Sequence, residues 1–193
     1  AIDAAALAHR AAAHGMIPQA HERALAAEAV GLVALVAPQL RHVAERCAGT
    51  PLPLQWRLGD VWHDHVLFTG NRVTGLLDFG AAGIDSPAGD VARLLGSLAA
   101  DDADAWALGL AAYEAVRKLS PDEWQAAEAF DATGSTLAAW NWLRWLWPGR
   151  GDAPGPVVDR PAALERLQRL LPRLRRLAAG IAGARGGVDH GPG

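Results

Sequence analysis

Residues 58–68 read Leu58-Gly59-Asp60-Val61-Trp62-His63-Asp64-His65-Val66-Leu67-Phe68, and residues 77–80 read Leu77-Asp78-Phe79-Gly80. Between them stand the turn residues Thr69-Gly70-Asn71-Arg72 and a second β-like run from Val73 to Leu77. Gly70 and Asn71 both tolerate a positive φ, which a tight turn between strands requires. Two such runs around such a turn predict a β-hairpin. A hairpin folds the chain back on itself, so it sets Asp60 to His65 beside Asp78. One carboxylate then precedes the hairpin and another follows it. Phosphoryl transfer uses such a pair. One carboxylate orients the attacking hydroxyl and takes its proton, and the other holds the divalent metal that neutralises the phosphates.

Outward from the hairpin the apolar residues recur at helical spacing. On the N-terminal side the pattern predicts a short helix over residues 2–14 and a break at Gly15 to Pro18. A helix over about residues 19–47 follows, kinked or split at Pro38. On the C-terminal side, Ser86-Pro87 supplies an N-cap and a first-turn proline for a helix over 87–99. A second helix is expected over about residues 102–118. Ser120-Pro121-Asp122-Glu123 is a capping box for a third, continuing past Gly134 to Trp147. Pro148 to Pro156 reads as a loop. A last helix is expected over roughly 160–179, weakened by Pro172, and then a flexible Gly-rich tail from Gly180. The class expected is α+β, mostly α-helical, with the hairpin as its β-like region.

The 193 residues are 51% hydrophobic and 20% charged, which excludes a wholly disordered chain. A net charge of −3 argues against a nucleic-acid partner. The longest apolar run, Ala29 to Ala37, is too short for the roughly 18 residues of a membrane span. With no signal-peptide pattern, a cytoplasmic location and no membrane partner are expected. The single cysteine, Cys47, excludes an internal disulfide and a cysteine-based zinc cage. Trp140, Trp142, Trp145 and Trp147 wrap several faces of one helix and read mostly as core or as a surface for a missing lobe, and Arg166 to Arg176 as a solvated face.

Kinase catalytic loops place a metal-binding Asn five residues after the catalytic Asp. Five residues after Asp60 stands His65. With Gly59-Asp60, Val66-Leu67-Phe68 and Leu77-Asp78-Phe79-Gly80 in this order, the chain resembles the aminoglycoside/choline-kinase-like phosphotransferase family, which shares the protein-kinase fold. The resemblance implies a kinase-like C-terminal lobe over residues 1–180, with a catalytic core at 54–95, a helical subdomain at 96–179 and a flexible tail at 181–193. It implies that Asp60 is the catalytic base, that Asp78 binds the metal, and that His65 occupies the second metal position. Asp90, within Asp85-Ser86-Pro87-Ala88-Gly89-Asp90-Val91-Ala92-Arg93, would brace the catalytic loop. ATP and Mg²⁺ are the implied cofactors, and a small molecule bearing a hydroxyl is the implied acceptor.

Three departures leave alternatives open. Leu58 and Trp62 replace the family's two loop histidines, and His65 replaces its Asn. Imidazole suits Mg²⁺ poorly. The site could use a softer ion such as Mn²⁺, lose the second metal position, or turn the loop to another use. Before residue 49 there is no five-stranded segment and no Gly-rich phosphate loop, and Lys118 lies downstream of Asp78. The expectation is a C-terminal lobe without its nucleotide-binding lobe, with that missing lobe or a second copy of the chain as its partner. A chain that opens on Ala1, with its first Met at Met16, fits a piece of something longer. Two other functions stay in view: a pseudokinase-like binding module, and a metal-dependent hydrolase built on His63-Asp64-His65, whose histidines would share one strand face.

Overall fold

The computed structural model describes residues 19–148 and 155–186. The expected helix over 2–14, the break after it, the middle of the 148–156 loop and the chain beyond Gly186 lie outside the described residues. In chain order come α1 (Ala20–Ala48), β1 (Gln55–Arg57), a 3₁₀ turn (His63–His65), β2 (Val66–Thr69) and β3 (Arg72–Leu76). Then follow β4 (Gly83–Asp85), α2 (Ala88–Ala99), α3 (Ala103–Glu114), α4 (Pro121–Leu146) and α5 (Arg160–Gly186). The class is α+β and mostly helical.

The chain divides into two compact units. One takes the residues up to Arg41 and those from Ser135 onward, and the other is His42–Gly134. In the first unit, Ala26, Ala29, Val30 and Val33 of α1 pack with Leu143 and Leu146 of α4 and Leu167, Leu171 and Leu174 of α5. Each fully buried leucine contributes roughly 2 kcal/mol through apolar area removed from water. Trp147 is buried in the same cluster, as its place in the sequence led us to expect. Arg160 ties this unit together. It donates to Glu22 Oε2 at 2.7 Å and to the Leu146 carbonyl at 3.0 Å, and it lies 5.5 Å from the centre of the Trp147 ring. By length and composition α1 is apolar enough to cross a membrane, which counting uninterrupted apolar runs did not reveal. In the fold, four of its apolar residues are buried in this core and Leu25 and Leu32 pack against it.

The kinks expected at the prolines do not end their helices. α1 continues through Pro38 and α5 through Pro172. Around Pro172, Leu171 and Leu174 are both core residues, so packing on either side outweighs the lost backbone hydrogen bond. Nor does a tail begin at Gly180, because α5 runs to Gly186. Ala182 and Ala184, among the best helix formers, stand between the glycines there.

The second unit holds the hairpin. β2 and β3 pair antiparallel, with Val66 opposite Leu76 and Thr69 opposite Arg72, and a bulge falls between Leu67 and Phe68. Gly70 takes φ +59° in the turn. A second antiparallel pair went unseen in the sequence: β1 with β4, Trp56 opposite Ile84. Strands of three residues each are too short to show a period of two. On the helical side, Ala88 and Ala92 of α2 pack against Ala126 and Ala127 of α4. Val91, Leu110 and Leu119 form another cluster with Leu95, Trp106 and Trp124. α3 stops at Glu114, short of the expected residue 118, in a turn where the Val116 amide donates to the Tyr113 carbonyl at 3.0 Å.

Candidate active site

The segment from Leu58 to Trp62 has no regular structure of its own and is shaped by α2. Ser86 Oγ accepts from the Ala88 amide at 3.3 Å and caps the start of that helix. In its first turn, Asp90 accepts from the amides of Leu58 at 2.7 Å and Gly59 at 2.9 Å. This is the bracing role expected of Asp90. One turn on, Arg93 forms an ion pair with the Asp60 carboxylate through Asp60 Oδ1. Another turn on, Ser97 Oγ accepts from the His63 amide at 2.9 Å. Residues 90, 93 and 97 share one helix face, so one stripe of α2 meets the loop at three points.

Arg57, just before the loop, joins the same network. It donates to Asp85 Oδ2 at 2.7 Å and to Asp90 Oδ1 at 3.4 Å. The Ser86 amide and then Arg57 hold the Asp85 carboxyl below its usual range. Burial works against the Arg57 charge, but Asp85 and Asp90 more than offset it and raise its pKa.

Gly59 shows how close the two loops come. It takes φ +83°, and a Cβ there would lie 2.2 Å from the Ala81 carbonyl oxygen. Ala81 directly follows Leu77-Asp78-Phe79-Gly80, so only glycine lets the Asp60 loop pass against the Asp78 loop. A second contact lies at the hairpin base, where the Leu77 amide donates to the His65 carbonyl at 2.9 Å. The hairpin thus sets the stretch from Gly59 to His65 against the stretch from Leu77 to Ala81.

Asp78 stands just past the end of β3, exposed, at φ +58°. Aspartate visits this left-handed region more readily than most residues. Its Oδ1 accepts from the Gly80 amide at 3.2 Å, a local bond that supports the turn. Strained backbone at a carboxylate beside a second carboxylate loop is a pointer to function.

His65 is held from both sides. Its Nδ1 lies 2.7 Å from the Asp60 carbonyl oxygen, and Trp62 Nε1 donates to its Nε2 at 2.7 Å. His63 Nε2 lies 3.2 Å from Asp64 Oδ1. Among the described residues, no three His, Cys, Asp or Glu side chains converge to hold a metal ion. The His63-Asp64-His65 site weighed from the sequence is therefore not assembled, since His63 turns to Asp64 and His65 turns into the loop. Two carboxylates still suit Mg²⁺, which binds through one or two of them together with substrate phosphates and waters.

Sequence reasoning did not find Arg93 as the partner of Asp60, Ser97 as a prop, or Trp62 as the partner of His65. The spacing of 90, 93 and 97 on a helix that follows Asp-Phe-Gly was the available signal for the first two. A family model described as the phosphotransferase enzyme family matches residues 2–130, a span that includes Asp60, Asp78 and Asp90. No curated protein matches the chain.

Proposed function

This chain belongs to the phosphotransferase enzyme family, and we propose from that premise that it moves the γ-phosphate of ATP to a hydroxyl group of a small molecule. The observation that carries this reading is the apposition of the Asp60 and Asp78 loops, fixed by the hairpin and by Gly59 against Ala81.

In this reading Asp60 receives the acceptor hydroxyl. Arg93 pairs with Oδ1 and sets the plane of the carboxylate, which leaves Oδ2 to accept the hydroxyl proton. As the acceptor oxygen bonds to the γ-phosphorus, the bond from that phosphorus to the bridging oxygen breaks and ADP leaves. The proton passes to Asp60. Little covalent chemistry falls to the protein, so its contribution is positioning and charge. Asp78, an exposed hard-oxygen ligand, would hold Mg²⁺, or Mn²⁺ in its place. When bound, that ion neutralises charge on the phosphates. Asp90 acts at one remove by fixing the amides of Leu58 and Gly59, and so the path of the backbone into Asp60.

Two measurements test this. Incubation with γ-labelled ATP and a panel of hydroxyl-bearing small molecules should yield a phosphorylated product and ADP in equal amounts. ADP formation with inorganic phosphate as the only phosphorylated product, for every acceptor, would contradict transfer. Asp78→Asn keeps a side chain suited to the left-handed backbone and removes the charge. It should retain the fold by circular dichroism and lose Mg²⁺-dependent turnover by on the order of a hundredfold or more. Unchanged metal dependence would remove Asp78 from the site.

A further inference from the structure

We propose that His65 is a positioning residue for Asp60, locked in a single tautomer by Trp62, and that neither of its ring nitrogens serves a metal. The proposal rests on the reading of Asp60 as the proton acceptor and deepens it.

The hydrogen-bond chemistry of the ring decides its protonation. An indole N–H can only donate. Trp62 Nε1 donates to His65 Nε2 at 2.7 Å, so Nε2 presents a lone pair and carries no hydrogen. A neutral imidazole then bears its hydrogen on Nδ1. Nδ1 lies 2.7 Å from the Asp60 carbonyl oxygen, to which it donates. Both bonds fit only the neutral Nδ1–H ring. An Nε2–H ring would set two hydrogens against each other at Trp62, and so would an imidazolium.

The consequence for a metal follows. Only a nitrogen lone pair can ligate a cation, and the ring's one available lone pair is occupied by Trp62. The expectation that His65 stands in for a metal-binding Asn is replaced by a role within the loop. The chain of bonds runs from the Asp60 carbonyl through His65 to the Trp62 indole, and so closes on residues 60 to 65. The Trp62 and His65 rings also meet edge to face, with centroids 5.4 Å apart. At the other side, the His65 carbonyl accepts from the Leu77 amide, so the same residue ties the Asp60 loop to the strand that leads into Asp78. Asp60 is therefore fixed from two directions. Arg93 holds its carboxylate, and His65 holds its backbone carbonyl. Small misplacements of a reacting group are costly in rate, which gives this bracing a catalytic purpose.

The test has a spectroscopic and a kinetic part. Two-bond ¹H–¹⁵N correlation spectra of the full chain, with His65 assigned by its loss in His65→Gln, should show the Nδ1–H tautomer. They should not change when Mg²⁺ is added to saturation. An Nε2–H tautomer, or a His65 nitrogen signal that moves with Mg²⁺, would overturn the proposal without using turnover at all. In the assay, Trp62→Phe keeps the aromatic ring and removes the donor. It should lower kcat about tenfold, the worth of one hydrogen bond, with the Mg²⁺ concentration for half-maximal rate unchanged. His65→Ala should lower kcat at least as far. The double variant should be no worse than His65→Ala, because both act through one linkage. Additive losses would show that the two residues act apart and overturn the linkage, and a raised Mg²⁺ requirement in His65→Ala alone would return His65 to the metal. Unaltered turnover in Asp60→Asn would instead defeat the underlying assignment of Asp60, an outcome separate from these.

Discussion

Gly59 meets two demands that no other residue can meet together. It lies at φ +83°, and the Ala81 carbonyl oxygen stands only 2.2 Å from where a Cβ would be. The obstruction is backbone, which moves only if the turn after Asp78 moves with it. Gly59→Ala should therefore cost roughly 2 kcal/mol or more in stability, measured by denaturant unfolding, and should impair turnover beyond that loss. A variant as stable and active as the parent would show that the two loops are not held together there. At this scale the sequence disclosed the charged residues and hid their partners. Asp60 and Asp78 stood out because their order around a turn carries chemical meaning, and Asp90 through the resemblance of its segment to the family's. The partners Arg93 and Trp62 did not, because a guanidinium on a helix or an indole within a loop has no intrinsic destination. Only the folded backbone brings Arg93 to Asp60 and Trp62 to His65. His65 hid its partners for the same reason. Its position relative to Asp60 suggested a ligand, and its ring bonds run to the Asp60 carbonyl and the Trp62 indole.

Helices were the most readable elements, since their caps are written in short motifs. In α4 the capping box forms in both directions. Ser120 Oγ accepts from the Glu123 amide at 3.2 Å, and Glu123 accepts from the Ser120 amide at 2.9 Å. Arg117 adds a bond of 2.6 Å to the same carboxylate. Burial alone would raise the Glu123 pKa, but the Ser120 amide and Arg117 outweigh it and lower the value. A carboxyl whose pKa is lower when folded than unfolded stabilises the fold above its unfolded value and loses that stabilisation as pH falls through its folded value. Stability should therefore decline as pH drops below about 5. Glu123→Gln should be less stable at neutral pH by roughly 1–2 kcal/mol and should show a flatter acid limb. Thermal unfolding across a pH series reads both, and an acid limb identical to the parent's would deny Glu123 this part. Elements went unread where local signals are weak or are overruled. β1 and β4 are too short for a pattern, and buried leucines beside Pro172 carry α5 past a residue that ordinarily breaks helices.

For the molecule as a whole, the sequence conveyed a helical α+β chain with one hairpin and did not disclose that residues up to Arg41 and from Ser135 onward share one unit. That grouping depends on residues far apart in sequence that share one core cluster, such as Val30, Leu143 and Leu167. Leu143 is fully buried in the first unit's core. Leu143→Ala should cost about 3 kcal/mol by the cavity it leaves, read by chemical denaturation, and a loss below about 1 kcal/mol would show a loosely packed core. The match to the phosphotransferase enzyme family ends at residue 130, within α4, and the whole candidate site lies in the second unit. The central claim is that Asp60 of this site takes the proton when ATP's γ-phosphate moves to a hydroxyl. The most direct measurement is phosphate transfer from ATP at saturating Mg²⁺ by the parent and by Asp60→Asn. The account predicts a fall of at least about a hundredfold in kcat, with unchanged nucleotide affinity and thermal stability. Equal turnover by the two proteins would contradict it.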